Sequence, residues 1–367
     1  MLCLTGCEKR LEKTVGRIER HRNFMHEVRI DLLDGIPHSF SRLNEYDGLL
    51  LTLRSVNQGG GFTGSDDDRN SILRKIAEET KALIDVEYRP DGDARSLFDG
   101  DVLRRTVLSF HDFSGVPARL EEIAREMDSS GAGLLKIAVK CEDTSDLLRL
   151  FNLKAFLRRP ALLIGMGIHG RLSRFLYKRF GSPFTFAVED ENAFGGAGLL
   201  TLKEIRDFGL GRNSELEPLG VIGGDHVVNS SGVKVYNRLF RDKGLDFIYL
   251  PLPAKDFDGA LELAEKLGFQ GLSVTMPHKE AALKKCAEAS VQAEKTGAVN
   301  TLARRNHGWY GENTDINGLK LAMRDIAVHE GLRAAVFGCG GAARAAVYLM
   351  TKAGADVTVF HRDSIKA

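Results

Sequence analysis

The chain has 367 residues, long enough for two domains, and 43% of them are hydrophobic, so ordinary cores can be buried. Its 51 lysines and arginines balance 50 aspartates and glutamates, and the formal net charge of +1 gives no footing for nucleic acid or an anionic membrane surface. No apolar run approaches the ~20 residues that span a bilayer, and five scattered cysteines (Cys3, Cys7, Cys141, Cys286 and Cys339) suit reduced thiols in the cytoplasm, without the spacing of metal ligands.

From residue 1 to about 208 a short apolar strand is followed again and again by a helical pattern. Strands are predicted at Leu2–Leu4, Glu27–Leu33, Gly48–Arg54, Ala82–Tyr88, Thr106–His111, Gly133–Val139, Pro160–Met166 and Pro183–Val188. Helices are predicted at Lys9–Glu19, Asp67–Lys81, Ala118–Met127 and Ser145–Phe156. Eight alternations in about 200 residues predict an α/β fold, a (β/α)8 TIM barrel over residues 1–208. An open doubly wound sheet is the alternative. A polar linker is expected at 209–218. The βα pattern then restarts, with strands at Leu219–Ile222, Phe247–Leu250 and Gly271–Thr275 and helices at Gly232–Lys243, Phe257–Leu267 and from His278. Asn306-His307-Gly308 reads as a turn joining Val299–Arg304 to Trp309–Gly311. These elements form an α/β domain over 219–330. Residues 331–367 read as part of a Rossmann domain: strand Ala334–Phe337, a glycine turn, a helix to Ala353 and strand Asp356–Phe360.

In a barrel the active site lies at the carboxyl ends of the strands, so charged residues inside apolar strands are candidate catalytic groups. Glu27, Arg29 and Asp31 alternate with Val28 and Ile30, which puts all three on one face. That face is the barrel interior or a charged edge strand. Arg54 ends the apolar run Gly48–Leu53, as an anion clamp or a snorkelling surface residue. His111 ends Ser109-Phe110-His111-Asp112. Lys136 interrupts Leu134-Leu135-Lys136-Ile137-Ala138-Val139, where burial disfavours the ammonium and leaves an amine able to attack a ketone. A lysine snorkelling from an edge strand is the alternative.

Glu27-Val28-Arg29-Ile30-Asp31, Thr52-Leu53-Arg54, Ser109-Phe110-His111-Asp112-Phe113, Lys136-Ile137-Ala138 and Met166-Gly167 through Ser173-Arg174 together resemble type I 3-dehydroquinate dehydratase, in that family's order and spacing. The resemblance implies an imine between Lys136 and the substrate ketone, with His111 as general acid and base. It implies Glu27 orienting that histidine or a hydroxyl, Arg174 on the substrate carboxylate, and Arg29 and Arg54 on the polar ring. Gln58 stands where the family usually has a glutamate beside the histidine. Gly195 and Leu199 align with a serine and a glutamine of the family's lid loop, where Asn192 could supply a contact.

In the second half, Gly271-Leu272-Ser273-Val274-Thr275-Met276-Pro277-His278-Lys279, Gly297-Ala298-Val299-Asn300-Thr301 and Gly311-Glu312-Asn313-Thr314-Asp315 bring a lysine and an aspartate on separate loops, a pair suited to proton transfer at a reduced carbonyl. Asp315 could equally cap the next helix. As a set these motifs resemble shikimate dehydrogenase. The resemblance implies Lys279 and Asp315 as the catalytic pair, with Ser273, Thr275 and Asn300 on substrate hydroxyls. Ser230 lies in the family's carboxylate motif, where Gly232 and Val233 replace a serine and a proline and Tyr236 and Asn237 fit.

Gly338, Gly340, Gly341 and Ala342 open a helix after a strand, the arrangement that seats a pyrophosphate. Arg362 after the second strand favours a 2′-phosphate, hence NADP as the cofactor. The chain ends at Ala367 with two strands of that domain, so the second activity is expected to be absent or very weak. The expected partners are 3-dehydroquinate and 3-dehydroshikimate. The alternatives are a non-catalytic sensor of quinate-like ligands built from the same folds and another Schiff-base barrel such as an aldolase. Arg174 and the Glu27–Asp31 strand argue against the aldolase.

Overall fold

Parallel strands buried on both faces read as near-continuous apolar runs, and those runs form the first sheet. In the computed structural model they are β1 (Leu2–Leu4), β2 (Met25–Arg29), β3 (Leu49–Thr52), β4 (Leu83–Glu87), β5 (Thr106–Asp112), β6 (Leu134–Lys140), β7 (Ala161–Met166), β8 (Thr185–Val188) and the short β9 (Leu200–Thr201). The structure describes residues 1–90, 97–190, 198–211 and 215–361 and falls into two units, Met1–Asn213 and Ser214–Ala367.

The first sheet runs β7-β6-β5-β4-β3-β2-β1-β8-β9 with every pairing parallel. It curls, because Cys3 of β1, Leu50 of β3, Val107 of β5, Ile164 of β7 and Phe186 of β8 pack into one interior cluster. Among the described residues β7 and β8 share no ladder. The N–H groups of Leu163 and Gly165, on the edge of β7 away from β6, go instead to the hydroxyls of Ser182 (3.0 Å) and Ser173 (2.8 Å). Two serines thus satisfy the backbone of a strand whose neighbour stands off. Gly165 and Gly170 meet where a β-carbon on Gly165 would lie 2.6 Å from the Gly170 Cα. That close approach leaves no room for a side chain and sets the turn leading to Ser173 and Arg174.

Two expectations for this unit are corrected. The predicted strand Glu27–Leu33 ends at Arg29, and Ile30–Leu32 is a 3-10 turn. The helix predicted at Asp67–Lys81 spans Asp66–Glu79, because Ser65 caps it by accepting from the Asp68 N–H at 3.1 Å while Asp68 accepts from the Ser65 N–H.

The second unit begins with β10 (Glu217–Gly223), so Glu217 and Pro218 of the expected linker belong to a strand; residues 212–214 lie outside the described residues. Its six-stranded sheet runs β11 (Phe247–Pro253), β10, β12 (Gly271–Val274), β14 (Thr301–Arg305), β15 (Gly308–Glu312) and β13 (Cys286–Ala289). The helix expected from His278 stops at Lys285. Cys286–Ala289 pairs with β15 as a strand, and a further helix, Val291–Thr296, follows. Cys-Ala-Glu-Ala has helical propensity, and strand pairing overrides it. A separate parallel pair, β16 (Arg333–Phe337) and β17 (Asp356–Phe360), flanks the helix Gly341–Lys352.

Candidate active site

Inside the first sheet, period-two alternation lines up one polar layer. Register pairs Arg29 with Thr52, Thr52 with Asp85 and Ser109 with Lys136 across neighbouring strands. Thr52 Oγ1 donates to Glu27 Oε1 at 2.9 Å, and Ser109 Oγ donates to Asp85 Oδ1 at 2.6 Å. Lys136 Nζ lies 3.4 Å from Asp85 Oδ2, 3.6 Å from Glu27 Oε1 and 4.4 Å from the centre of the Phe186 ring. Lys136 is buried, and two carboxylates face it. Burial pushes the Glu27 carboxyl up, yet Lys136 and then Arg29 outweigh it and hold it at about 2.

Asp85 also accepts from Arg54 Nη2 at 2.7 Å, so one carboxylate anchors both the lysine and the arginine. Sequence reasoning missed it. The signal was present in Leu83-Ile84-Asp85-Val86-Glu87, where two acids alternate within an apolar strand just as Glu27 and Arg29 do. Asp85 and Arg54 are both almost fully buried. Asp85→Ala is expected to lower stability by about 3–5 kcal/mol, because it leaves two cations buried without it. A chemical-denaturation loss below ~1 kcal/mol would contradict that role.

His111 sits on the cavity wall, partly exposed, its ring stacked on Phe113 at 6.2 Å between centroids. Its Nδ1 lies 2.8 Å from Arg54 Nη1 and 3.3 Å from Gln58 Oε1. Burial, then Arg54, Lys136, Arg29 and Arg174, hold its pKa well below the ordinary 6.5, so the imidazole is neutral at physiological pH. Gln58 reaches it from a tight turn after β3. Gly59 adopts a left-handed φ of 76°, and a β-carbon on Gly60 would lie 2.1 Å from the Arg54 carbonyl oxygen. Glu87 ties the start of that turn to β4 by accepting from the Ser55 N–H at 2.7 Å and Oγ at 3.0 Å.

Glu27, Arg29, Arg54, Gln58, His111, Lys136, Arg174 and Leu199 all line one cavity of ≈ 140 Å³. Arg29 is engaged there by Asp31, with Nε at 3.0 Å and Nη2 at 2.6 Å from the two carboxylate oxygens. Asp31 was expected to share the interior face of β2. The 3-10 turn moves it off that face, where it clamps Arg29 and accepts from the Gly61 N–H at 2.9 Å. Arg174, on the turn Leu172–Phe175, is buried, and burial with Arg171 lowers its guanidinium to about 10. Leu199 offers a hydrocarbon wall. Asn192 and Gly195 lie outside the described residues.

In the second unit, Lys279 Nζ donates to Asp315 Oδ2 at 2.5 Å, and Asn300 Nδ2 donates to Asp315 Oδ1 at 2.7 Å. Asp315 opens the helix Asp315–Ala322. The loop before it is fixed by Asn313, whose amide donates to Thr296 Oγ1 (2.9 Å) and the Ala298 carbonyl (3.0 Å). Ser273 accepts from the Tyr249 hydroxyl at 2.7 Å, and Tyr249 packs on Tyr236 at 4.7 Å between centroids. Among the described residues, no side-chain hydrogen bond links Ser230 or Thr275 to Lys279, Asp315 or Asn300. Asn237, expected near the substrate carboxylate, is buried and bonded to the Tyr249 backbone at 2.7 and 2.9 Å.

Gly338 has a left-handed φ of 107°, Gly340 precedes the helix Gly341–Lys352, and a β-carbon on either glycine would meet nothing within 4 Å. This open cradle at a helix N-terminus fits a pyrophosphate. Gly341 is different, since its β-carbon would lie 2.8 Å from the Lys279 Cδ, so the turn rests on the stem of that lysine. Arg362 lies outside the described residues.

Comparison with known proteins places these sites in context. The family described as shikimate dehydrogenase substrate binding domain matches residues 222–302. A bifunctional 3-dehydroquinate dehydratase/shikimate dehydrogenase of Arabidopsis thaliana is 29% identical over 340 residues, 85% of this chain and 55% of that protein. A shikimate dehydrogenase (NADP(+)) of Syntrophobacter fumaroxidans is 40% identical over 139 residues, 38% of this chain and 49% of that protein. A solved type I 3-dehydroquinate dehydratase from Clostridium difficile is 26% identical, with a TM-score of 0.48 over 56% of this chain and 88% of that one. The chain spans about half the length of the curated relatives it matches. The type I 3-dehydroquinase family matches residues 3–208, more than half of the chain, and holds Lys136, His111 and the whole polar layer around them: the chain belongs to that family.

Proposed function

We propose that the first unit dehydrates 3-dehydroquinate to 3-dehydroshikimate through an imine on Lys136. The observation that carries this reading is one cavity in which a buried lysine, flanked by Glu27 and Asp85, shares the wall with a neutral histidine and with Arg54 and Arg174. The Lys136 amine adds to the C3 ketone, and loss of water gives the iminium. His111 takes the C2 proton, and the C–H electron pair passes into the C–N system as an enamine. The enamine expels the C1 hydroxyl, which leaves as water with the proton returned by His111. Hydrolysis of the product iminium frees Lys136. Arg174 pairs with the substrate carboxylate and Arg54 with the ring hydroxyls. Glu27 and Asp85 hold Lys136 in the layer, and Arg29, clamped by Asp31, lines the same cavity. Borohydride reduction in the presence of 3-dehydroquinate tests the reading. A stable adduct on Lys136 is expected. A bound but unreducible ligand would instead support a sensor.

For the second unit we propose reduction of 3-dehydroshikimate to shikimate, with NADP chemistry supplying the hydride. Gly338, Gly340, Gly341 and Ala342 would hold the pyrophosphate, with Arg362 placed by sequence for a 2′-phosphate. Lys279, held by Asp315, gives a proton to the carbonyl oxygen, and Ser230, Ser273, Thr275 and Asn300 receive the carboxylate and hydroxyls. NADPH oxidation with 3-dehydroshikimate is the measurement, and Lys279→Ala should lower any observed kcat by about 10²-fold or more. Equal rates in both chains would remove Lys279 from the reaction. The five free thiols fit the reducing cytoplasm.

A further inference from the structure

Two groups compete for one nitrogen of His111. Arg54 Nη1 lies 2.8 Å from Nδ1 and Gln58 Oε1 lies 3.3 Å from it. Nδ1 carries either a lone pair or an N–H in the ring plane, so it can satisfy one of the two. A guanidinium only donates, and its hydrogen bond is charge-assisted; an amide oxygen only accepts, and it is neutral.

Their freedom differs as well. Arg54 is buried and pinned, with Nη2 donating to Asp85 at 2.7 Å and Nη1 also donating to Ser109 Oγ at 3.1 Å. Gln58 is partly exposed on a turn, and its amide can rotate. Arg54 therefore prevails, and Nδ1 keeps its lone pair. In a neutral imidazole the proton then sits on Nε2, which has no hydrogen-bond partner among the described residues and belongs to a ring lining the cavity with Lys136.

We propose that Arg54 outcompetes Gln58 at Nδ1, so that with glutamine at position 58 the resting His111 ring is protonated on Nε2, the nitrogen offered to substrate. The inference rests on the dehydratase reading of this cavity. Taking a proton from the carbon next to the imine requires a lone pair on Nε2. The C–H electrons move toward the iminium nitrogen, and the proton ends on Nε2 as imidazolium. From the resting tautomer this step waits until Nδ1–H forms and the Arg54 hydrogen bond breaks, so turnover passes through a minor form. A carboxylate at position 58 would accept from Nδ1–H with full charge and reverse the competition.

The test is nitrogen NMR of the full chain with labelled histidine, with the His111 signals assigned by their loss in His111→Gln. The native chain is expected to show Nε2 protonated and Nδ1 bare. Gln58→Glu should invert that pattern and raise kcat for 3-dehydroquinate by about 10–100-fold, the weight of one charge-assisted hydrogen bond. Finding Nδ1 protonated in the native chain, or the proton still on Nε2 in Gln58→Glu, overturns the proposal. Inversion in a chain that turns over no substrate before or after the change would sustain the tautomer assignment and refute the dehydratase reading instead.

Discussion

Lys136→Ala is expected to reduce 3-dehydroquinate dehydration by at least ~10⁴-fold and to abolish the borohydride adduct. Each carbon step depends on the iminium as an electron sink, and no second amine is placed in the layer formed by Glu27, Thr52, Asp85, Ser109 and Lys136. The same substitution removes the cation that holds the Glu27 carboxyl down. In the native chain Glu27 has a folded value near 2 against an ordinary 4.5. Its ionised form therefore contributes stability above pH 4.5, and that contribution is lost as pH falls toward 2. Without Lys136, burial acts on the Glu27 carboxylate with less opposition, so Lys136→Ala should be less stable at neutral pH too. Lys136→Arg separates the two effects: it keeps the charge but cannot form an imine. An adduct that persists in Lys136→Ala, located elsewhere by peptide mapping, would move the chemistry off this residue.

His111→Gln should lower kcat by about 10²–10⁴-fold while the Lys136 adduct still forms, because condensation with the ketone needs the amine and the later proton transfers need the imidazole. The pH profile carries the sign. The native histidine is held well below 6.5, first by burial and then by four cations, so its base form stays full from neutral pH into the acid range. The acid limb of kcat/KM assigned to His111 is expected well below pH 6.5. For stability, the folded state resists protonation that the unfolded chain accepts. Stability therefore falls as pH drops below 6.5 toward the lowered value, and His111→Gln should flatten that part of the curve. An acid limb at or above 6.5, or an unchanged stability curve in His111→Gln, would contradict the placement of His111 among those cations. Both tautomers of the ring are neutral, so the penalty assigned to Gln58 should not vary with pH across the plateau.

Much of this was legible in the linear chain. Apolar runs interrupted by single charges marked the strands and the interior face, because side chains alternate with a period of two whatever the strand pairs with. That logic singled out Glu27, Arg29 and Lys136, and the motifs around them carried the family resemblance. It reached Lys279, Asp315 and Asn300 by motif alone, and the structure brings those three within hydrogen-bond distance. It stopped short at Asp31, where the strand ends in a 3-10 turn, and at Cys286–Ala289, where a helix-forming sequence is held as a strand by β15.

By itself, then, the sequence determined which residue types face the interior and which reaction they suit. The tertiary structure alone decided who neighbours whom. Asp85 stands between Arg54 and Lys136, Asp31 engages Arg29, and Arg54 meets Gln58 at the Nδ1 of His111. The physical reason is that Asp85 lies 31 residues from Arg54 and 51 from Lys136, and His111 lies 53 from Gln58 and 57 from Arg54, so their contact depends on strand register rather than local pattern, while the nearby Asp31 reaches Arg29 only because the chain turns after the strand. Alternation assigns a side chain to a face, and only the packed sheet assigns it to a layer.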